Sequence, residues 1–179
     1  MRFQAIYRLT AVLGTCAATL LGQFATTGTT TVSVTVGAEA AIRIDTSTTT
    51  LTTAATTFAA YTGTTSLTYK IRTTQSTGTG AITSRVTTDF APTGGPSVAT
   101  PPTAGDLLQY TCTIASPGTA CSGTQTASTS ADTSVATFGA DARSALAGNS
   151  GSVAWTLTND PVYKTGTYTA TVTFTMSTT

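Results

Sequence analysis

From Tyr168 to Met176 every second residue is apolar or small (Tyr168, Ala170, Val172, Phe174, Met176), and every residue between them is threonine. Successive side chains of a strand turn to opposite faces, so the pattern predicts a half-buried β-strand that closes the chain. The same period recurs upstream. TTVSVTV sets Val32, Val34 and Val36 on one face. AAIRID does so for Ala40, Ile42 and Ile44, with Arg43 outward. SLTYKIRT points Leu67, Tyr69 and Ile71 inward and Lys70 and Arg72 outward. Ile82, Val86 and Phe90 align in AITSRVTTDF, Leu108, Tyr110, Cys112 and Ile114 in LLQYTCTI, and Val153, Trp155 and Leu157 in SVAWTLT. A shorter strand is expected over residues 135–138. Roughly seven to nine strands separated by turns predict an all-β antiparallel sandwich or barrel.

The connections carry the expected punctuation. Gly78-Thr79-Gly80 reads as a hairpin turn. Residues 91–106 hold four of the six prolines and read as a loop. Residues 50–53 fit a strand followed by a loop, and ADARSALAGNSG reads as a loop. No fixed repeat emerges, so a solenoid is not expected.

The first 25 residues follow another plan. Arg2 and Arg8 precede an apolar stretch from about Leu9 to Leu21, and small and polar residues follow. This is the layout of a secretory signal peptide cleaved near Ala25, and the stretch is too short to span a bilayer comfortably. The expected product is one Thr-rich domain over residues 26–179, with an N-terminal arm at 26–36, secreted and at the cell surface without a membrane span.

Charged residues form only 8% of the chain. Threonine takes their place at roughly a quarter of all positions, far above ordinary usage. It is β-branched and suits a pleated, half-exposed surface. Without the leader, six basic residues face seven acidic ones. No basic patch suited to nucleic acid or anionic lipid results. The two cysteines beyond the leader, Cys112 and Cys121, read as one disulfide in an exported chain. Histidine is absent, so neither a zinc site nor a histidine-assisted nucleophile is expected.

The closing segment GTYTATVTFTMSTT resembles the closing β-motif of chaperone–usher fimbrial subunits and of the spore coat protein U family. Gly166 stands fourteen residues from the end, where those chains carry a glycine. Tyr168, Ala170, Val172, Phe174 and Met176 supply their alternation. Thr178 replaces their penultimate tyrosine. TTGTTTVSVTVGAEAAIRI is similar to their opening arm and first strand, without the cysteine often found there. The resemblance implies an incomplete immunoglobulin-like sandwich that a neighbour completes by β-strand addition. It further implies Val32, Val34 and Val36 as the donated row, the C-terminal strand as part of the acceptor, copies of the chain as partners, and an assembly chaperone as a further partner. Head-to-tail addition does not close on itself and yields a filament. The simpler alternative makes the arm the first strand of its own domain.

Candidate chemistry is sparse. Glu39, Asp89, Asp106, Asp132, Asp141 and Asp160 lie near expected turns, where aspartate ordinarily caps backbone N–H groups. Asp132, Asp141 and Asp160 have calcium-ligand chemistry, but no twelve-residue calcium loop organises them, so no metal site is expected. Trp155 reads as core rather than as a sugar-stacking platform. The closing threonines read as a solvated face rather than an ice-binding array. The expectation is a structural subunit of a bacterial surface fibre, pilus or coat, without cofactor or catalysis. A monomeric carbohydrate- or surface-binding module is the alternative.

Overall fold

The computed structural model describes residues 26–54 and 57–179; the expected signal peptide lies outside them. The chain divides into two units, residues 1–34 and 35–179. The described part of the first unit is exposed and contains no strand. The second holds all ten strands: β1 (Glu39–Ile44), β2 (Thr52–Thr53), β3 (Tyr61–Arg72), β4 (Gly80–Ala91), β5 (Leu108–Ile114), β6 (Thr119–Ala120), β7 (Gln125–Thr126), β8 (Thr133–Phe138), β9 (Asn149–Leu157) and β10 (Thr169–Thr178). No helix occurs among the described residues.

Two antiparallel sheets form an all-β sandwich. The six-stranded sheet runs β1-β3-β9-β5-β7, with β2 also on β3, and the four-stranded sheet runs β10-β4-β8-β6. The alternation places the core as expected. Leu67, Tyr69 and Ile71 of β3 meet Ile82 and Val86 of β4, Val135 and Phe138 of β8, and Val153, Trp155 and Leu157 of β9 in one buried cluster. Rings interlock there: Tyr69 lies edge-on to Phe138 at 5.1 Å between centroids, and Tyr110 lies 5.1 Å from Trp155. The Trp155 indole N–H donates to Thr65 Oγ1 at 2.9 Å, which satisfies the one polar atom of a buried ring.

Three expectations need correction. Residues 27–38, which include Val32, Val34 and Val36, carry no strand, and the first strand begins at Glu39. The link at Gly78-Thr79-Gly80 is not a hairpin, because β3 and β4 belong to different sheets. It is an arch between layers, held where Thr73 Oγ1 donates to the Gly139 carbonyl and accepts from the Ala142 N–H. The closing strand begins at Thr169, so Gly166 and Tyr168 precede it. In β8, Ala136 pairs with Ile82 and Ser134 with Thr83. Val135 is thus the extra residue of a β-bulge, which lets Val135 and Ala136 both face the core.

Candidate assembly site

The two flanks of the sandwich differ. On one flank β1 and β10, the edge strands of opposite sheets, come together. β1 pairs only with β3 and β10 only with β4, so the outer edge of each meets no further strand among the described residues. Their inward rows are Ala40, Ile42 and Ile44 on β1, and Ala170, Val172, Phe174 and Met176 on β10. All seven are only half-buried.

The register shows where burial falls off there. Ala40, Ile42 and Ile44 stand opposite Ile71, Tyr69 and Leu67 of β3, which are buried. Val172, Phe174 and Met176 stand opposite Val86, Ser84 and Ile82 of β4, also buried. One strand in from the edge the core is sealed in both sheets; at the edge it is not. The β10 edge is also unguarded. Natural edges are blunted by charge, proline or bulges. β10 carries neither charge nor proline. Its register irregularities are confined to Thr169–Val172, and pairing with β4 is regular from Val172 to Thr178.

On the other flank, β5 and β6 are tied across the layers. Cys112 of β5 and Cys121, just after β6, form the expected disulfide, with Cα atoms 5.6 Å apart. The β5–β6 turn packs down here, where the Tyr69 hydroxyl donates to the Ala115 carbonyl and accepts from the Gly118 N–H. A side chain at Gly118 would strike Ile114 and Phe138, so only glycine lets this turn lie so close to the core.

The remaining sequence-selected residues fall as follows. Val32 and Val34 are 89% and 85% exposed in the N-terminal unit, and Val36 is 62% exposed in the sandwich unit. Gly166 is exposed in the β9–β10 link. Tyr168 is half-buried with its ring against Gly95, and its hydroxyl donates to the Lys164 carbonyl at 2.7 Å. The outward threonines of β10 are exposed, and Thr173 shares a hydrogen bond with Thr87 of β4 at 3.1 Å. The β1 row was assigned to a strand from the sequence, but its place beside β10 was not foreseen. Nothing in a lone alternating segment says which strand it will meet across a sandwich.

The carboxylates sort into different environments. Asp89 lies inside β4, not in a turn, and pins the following loop. It accepts the N–H groups of Phe90, Val98 and Ala99 and the Ser97 hydroxyl. Partial burial works to raise its pKa, but these four donors outweigh it and hold the carboxyl below its usual range. Asp45 is held low by the Thr68 hydroxyl and then by Arg43. Asp106 is only 3% exposed, and its Oδ2 is buried without a hydrogen-bond partner. The side chains of Thr103 and Asp106 meet the Asp160 carboxyl. The Tyr163 hydroxyl is buried beside Asp106 and likewise forms no well-aligned hydrogen bond. No group of three or more His, Cys, Asp or Glu residues suited to a metal ion occurs among the described residues.

Comparison with family models, with curated proteins and with solved structures finds no match to this chain.

Proposed function

We propose that the chain is an exported structural subunit that assembles into a fibre or coat by β-strand addition. The N-terminal arm of one copy, residues 26–36, enters the opening between β1 and β10 of the next. There Val32, Val34 and Val36 cover the half-buried rows on the two edge strands, and the arm's backbone pairs with the free edge of β10. The incomplete immunoglobulin-like sandwich implied by the resemblance to fimbrial and spore coat protein U subunits has its missing strand at this place.

The observation that carries this reading is the paired defect: seven inward apolar side chains, on the edge strands of both sheets, stay half-buried along one flank. A strand donated in trans would supply hydrogen bonds and apolar cover at once. Burying three valines contributes roughly 5–8 kcal/mol before ordering costs are subtracted. An alternating arm that carries no strand of its own has the period such a donor requires.

The test is assembly of the leaderless protein, followed by size exclusion and negative-stain microscopy. Filaments or ladders of oligomers are expected. A variant beginning at Gly37 should stay monomeric, and a synthetic peptide of residues 26–36 should bind it. Val34→Asp in that peptide should weaken binding at least about tenfold, because an aspartate cannot enter an apolar groove unpaired. A full-length protein that stays monomeric at high concentration, with a truncated variant that ignores the peptide, would defeat the proposal. Glycan binding by such a monomer would favour the surface-binding module instead.

A further inference from the structure

We infer that Arg72 is a lock on the root of the arm: it keeps a chain from filling its own flank, so that the valine row is left for a second copy of the chain. This deepens the assembly reading and rests on it.

The root is held from β3. Arg72 is the last residue of β3 and stands opposite Glu39, the first of β1. Its Nε donates to the Gly37 carbonyl at 2.7 Å, and its Nη2 donates to Glu39 Oε2 at 3.2 Å. One planar guanidinium thus ties the chain on either side of Ala38. The backbone behind it is fixed as well: the Thr73 N–H donates to the Ala142 carbonyl at 3.0 Å, and the Ile71 N–H donates to Ser144 Oγ at 2.9 Å. Val36, Gly37 and Ala38 line one hollow with Arg72, Thr74 and Gln75. At its root the chain therefore runs on beside the end of β3. A return onto the free edge of β1 would carry it to the other side of that strand.

Parity decides which return matters. Residues directly opposite in an antiparallel pair share a face, and a slip of one position exchanges the faces. Glu39, Ala41 and Arg43 form the exposed row of β1, and Ala40, Ile42 and Ile44 the half-buried one. A two-residue turn at Gly37-Ala38 would set Val36, Val34 and Val32 opposite Glu39, Ala41 and Arg43, with the valines in water. The return that sets all three opposite Ala40, Ile42 and Ile44 is a three-residue turn over residues 37–39. In that register a chain would cover its own half-buried row. The turn takes in Glu39, which must leave Arg72, and Gly37, whose carbonyl must leave the guanidinium. The two bonds made by Arg72 stand against the register in which the whole arm serves its own sandwich.

Arg72→Met keeps an apolar stem and removes both donors. In the variant beginning at Gly37, this substitution should leave binding of the residue 26–36 peptide unchanged by calorimetry, because Arg72 lies outside the half-buried rows. In the leaderless full-length chain, below the concentration at which it assembles, Val34→Cys and Ile42→Cys report the self-covering register. Under mild oxidation they should join within one molecule at least about tenfold faster with Arg72→Met than with Arg72 in place, the shift expected when charged hydrogen bonds are lost. Without the added cysteines, oligomer ladders of Arg72→Met should fall by a similar factor. The lock is overturned if the intramolecular rate is the same with Arg72 in place, or if Arg72→Met assembles like the parent. It is overturned equally if Arg72→Met abolishes peptide binding by the truncated variant, since Arg72 then shapes the acceptor instead. A truncated parent that ignores the peptide defeats the assembly reading, and the lock with it, whatever the cysteines do.

Discussion

Phe174 reaches across the sandwich to Trp155: their rings meet edge-on, with centroids 6.5 Å apart. Trp155 is sealed in the core, whereas Phe174 belongs to the half-buried row of β10. The pair therefore joins the sealed interior to the half-buried flank. Phe174→Ala should cost about 2 kcal/mol in urea unfolding, less than the 3–5 kcal/mol of a fully buried phenylalanine. The Trp155 emission should move to longer wavelength as water reaches the indole. On assembly of the parent protein the same emission should shift the other way.

Trp155 offers a second test through its N–H. Thr65 Oγ1 accepts that hydrogen bond and also bonds Thr49 Oγ1 at 2.6 Å, so one buried hydroxyl links β9 to the segment between β1 and β2. Trp155→Phe removes the donor and leaves a smaller ring. A loss of roughly 2–3 kcal/mol is expected, from the hydrogen bond and the vacated volume together. Adding Thr65→Val to Trp155→Phe should recover part of that loss, read as a double-mutant cycle by chemical denaturation.

The disulfide ties the flank opposite β1 and β10. Its loop spans nine positions, and replacing Cys112 and Cys121 together by serine should lower stability by ~2–3 kcal/mol. The half-buried rows of β1 and β10 do not depend on it. Binding of the arm peptide to the truncated variant should survive the double substitution, which calorimetry checks at a temperature where both proteins are folded.

Asp89 sets a pH dependence. Its folded-state pKa lies below the unfolded value, so its contribution is complete above the unfolded carboxylate pKa and is lost as pH falls through the folded one. Stability should decline with acid more steeply in the parent than in Asp89→Asn. At neutral pH the variant should be weaker by roughly 1–2 kcal/mol, because backbone N–H groups lose a charged acceptor that solvent partly screens. Limited proteolysis should then cut the loop following β4 first.

The long strands were legible because alternation and burial are the same fact seen twice: Leu67, Tyr69 and Ile71, or Val153, Trp155 and Leu157, repeat at the pleat period and are buried together. The two-residue strands β6 and β7 leave no such trace, being too short to show a period, whereas β2 falls within the 50–53 segment that the sequence offered as a strand. Val32, Val34 and Val36 show the opposite failure. Their spacing states a capacity to form a strand, but a strand also needs a neighbour's hydrogen bonds, and alternation names no neighbour. The Gly78–Gly80 arch differs from the expected hairpin for a related reason, since glycine marks a change of direction without saying whether the chain stays in its sheet. Asp106 and Asp160 are 54 positions apart and meet only because two inter-sheet loops end side by side. The clue in hand was an aspartate set directly against Leu107 and Leu108, where a solvated turn residue would be expected to have polar company.

The outward side of β10 is threonine after threonine, with no ionised group between Thr169 and Thr178. Contacts built along such a border have little ion atmosphere to screen, so their strength should hardly change between dilute and concentrated electrolyte. A layer made from this chain would keep its cohesion as readily in fresh water as in brine.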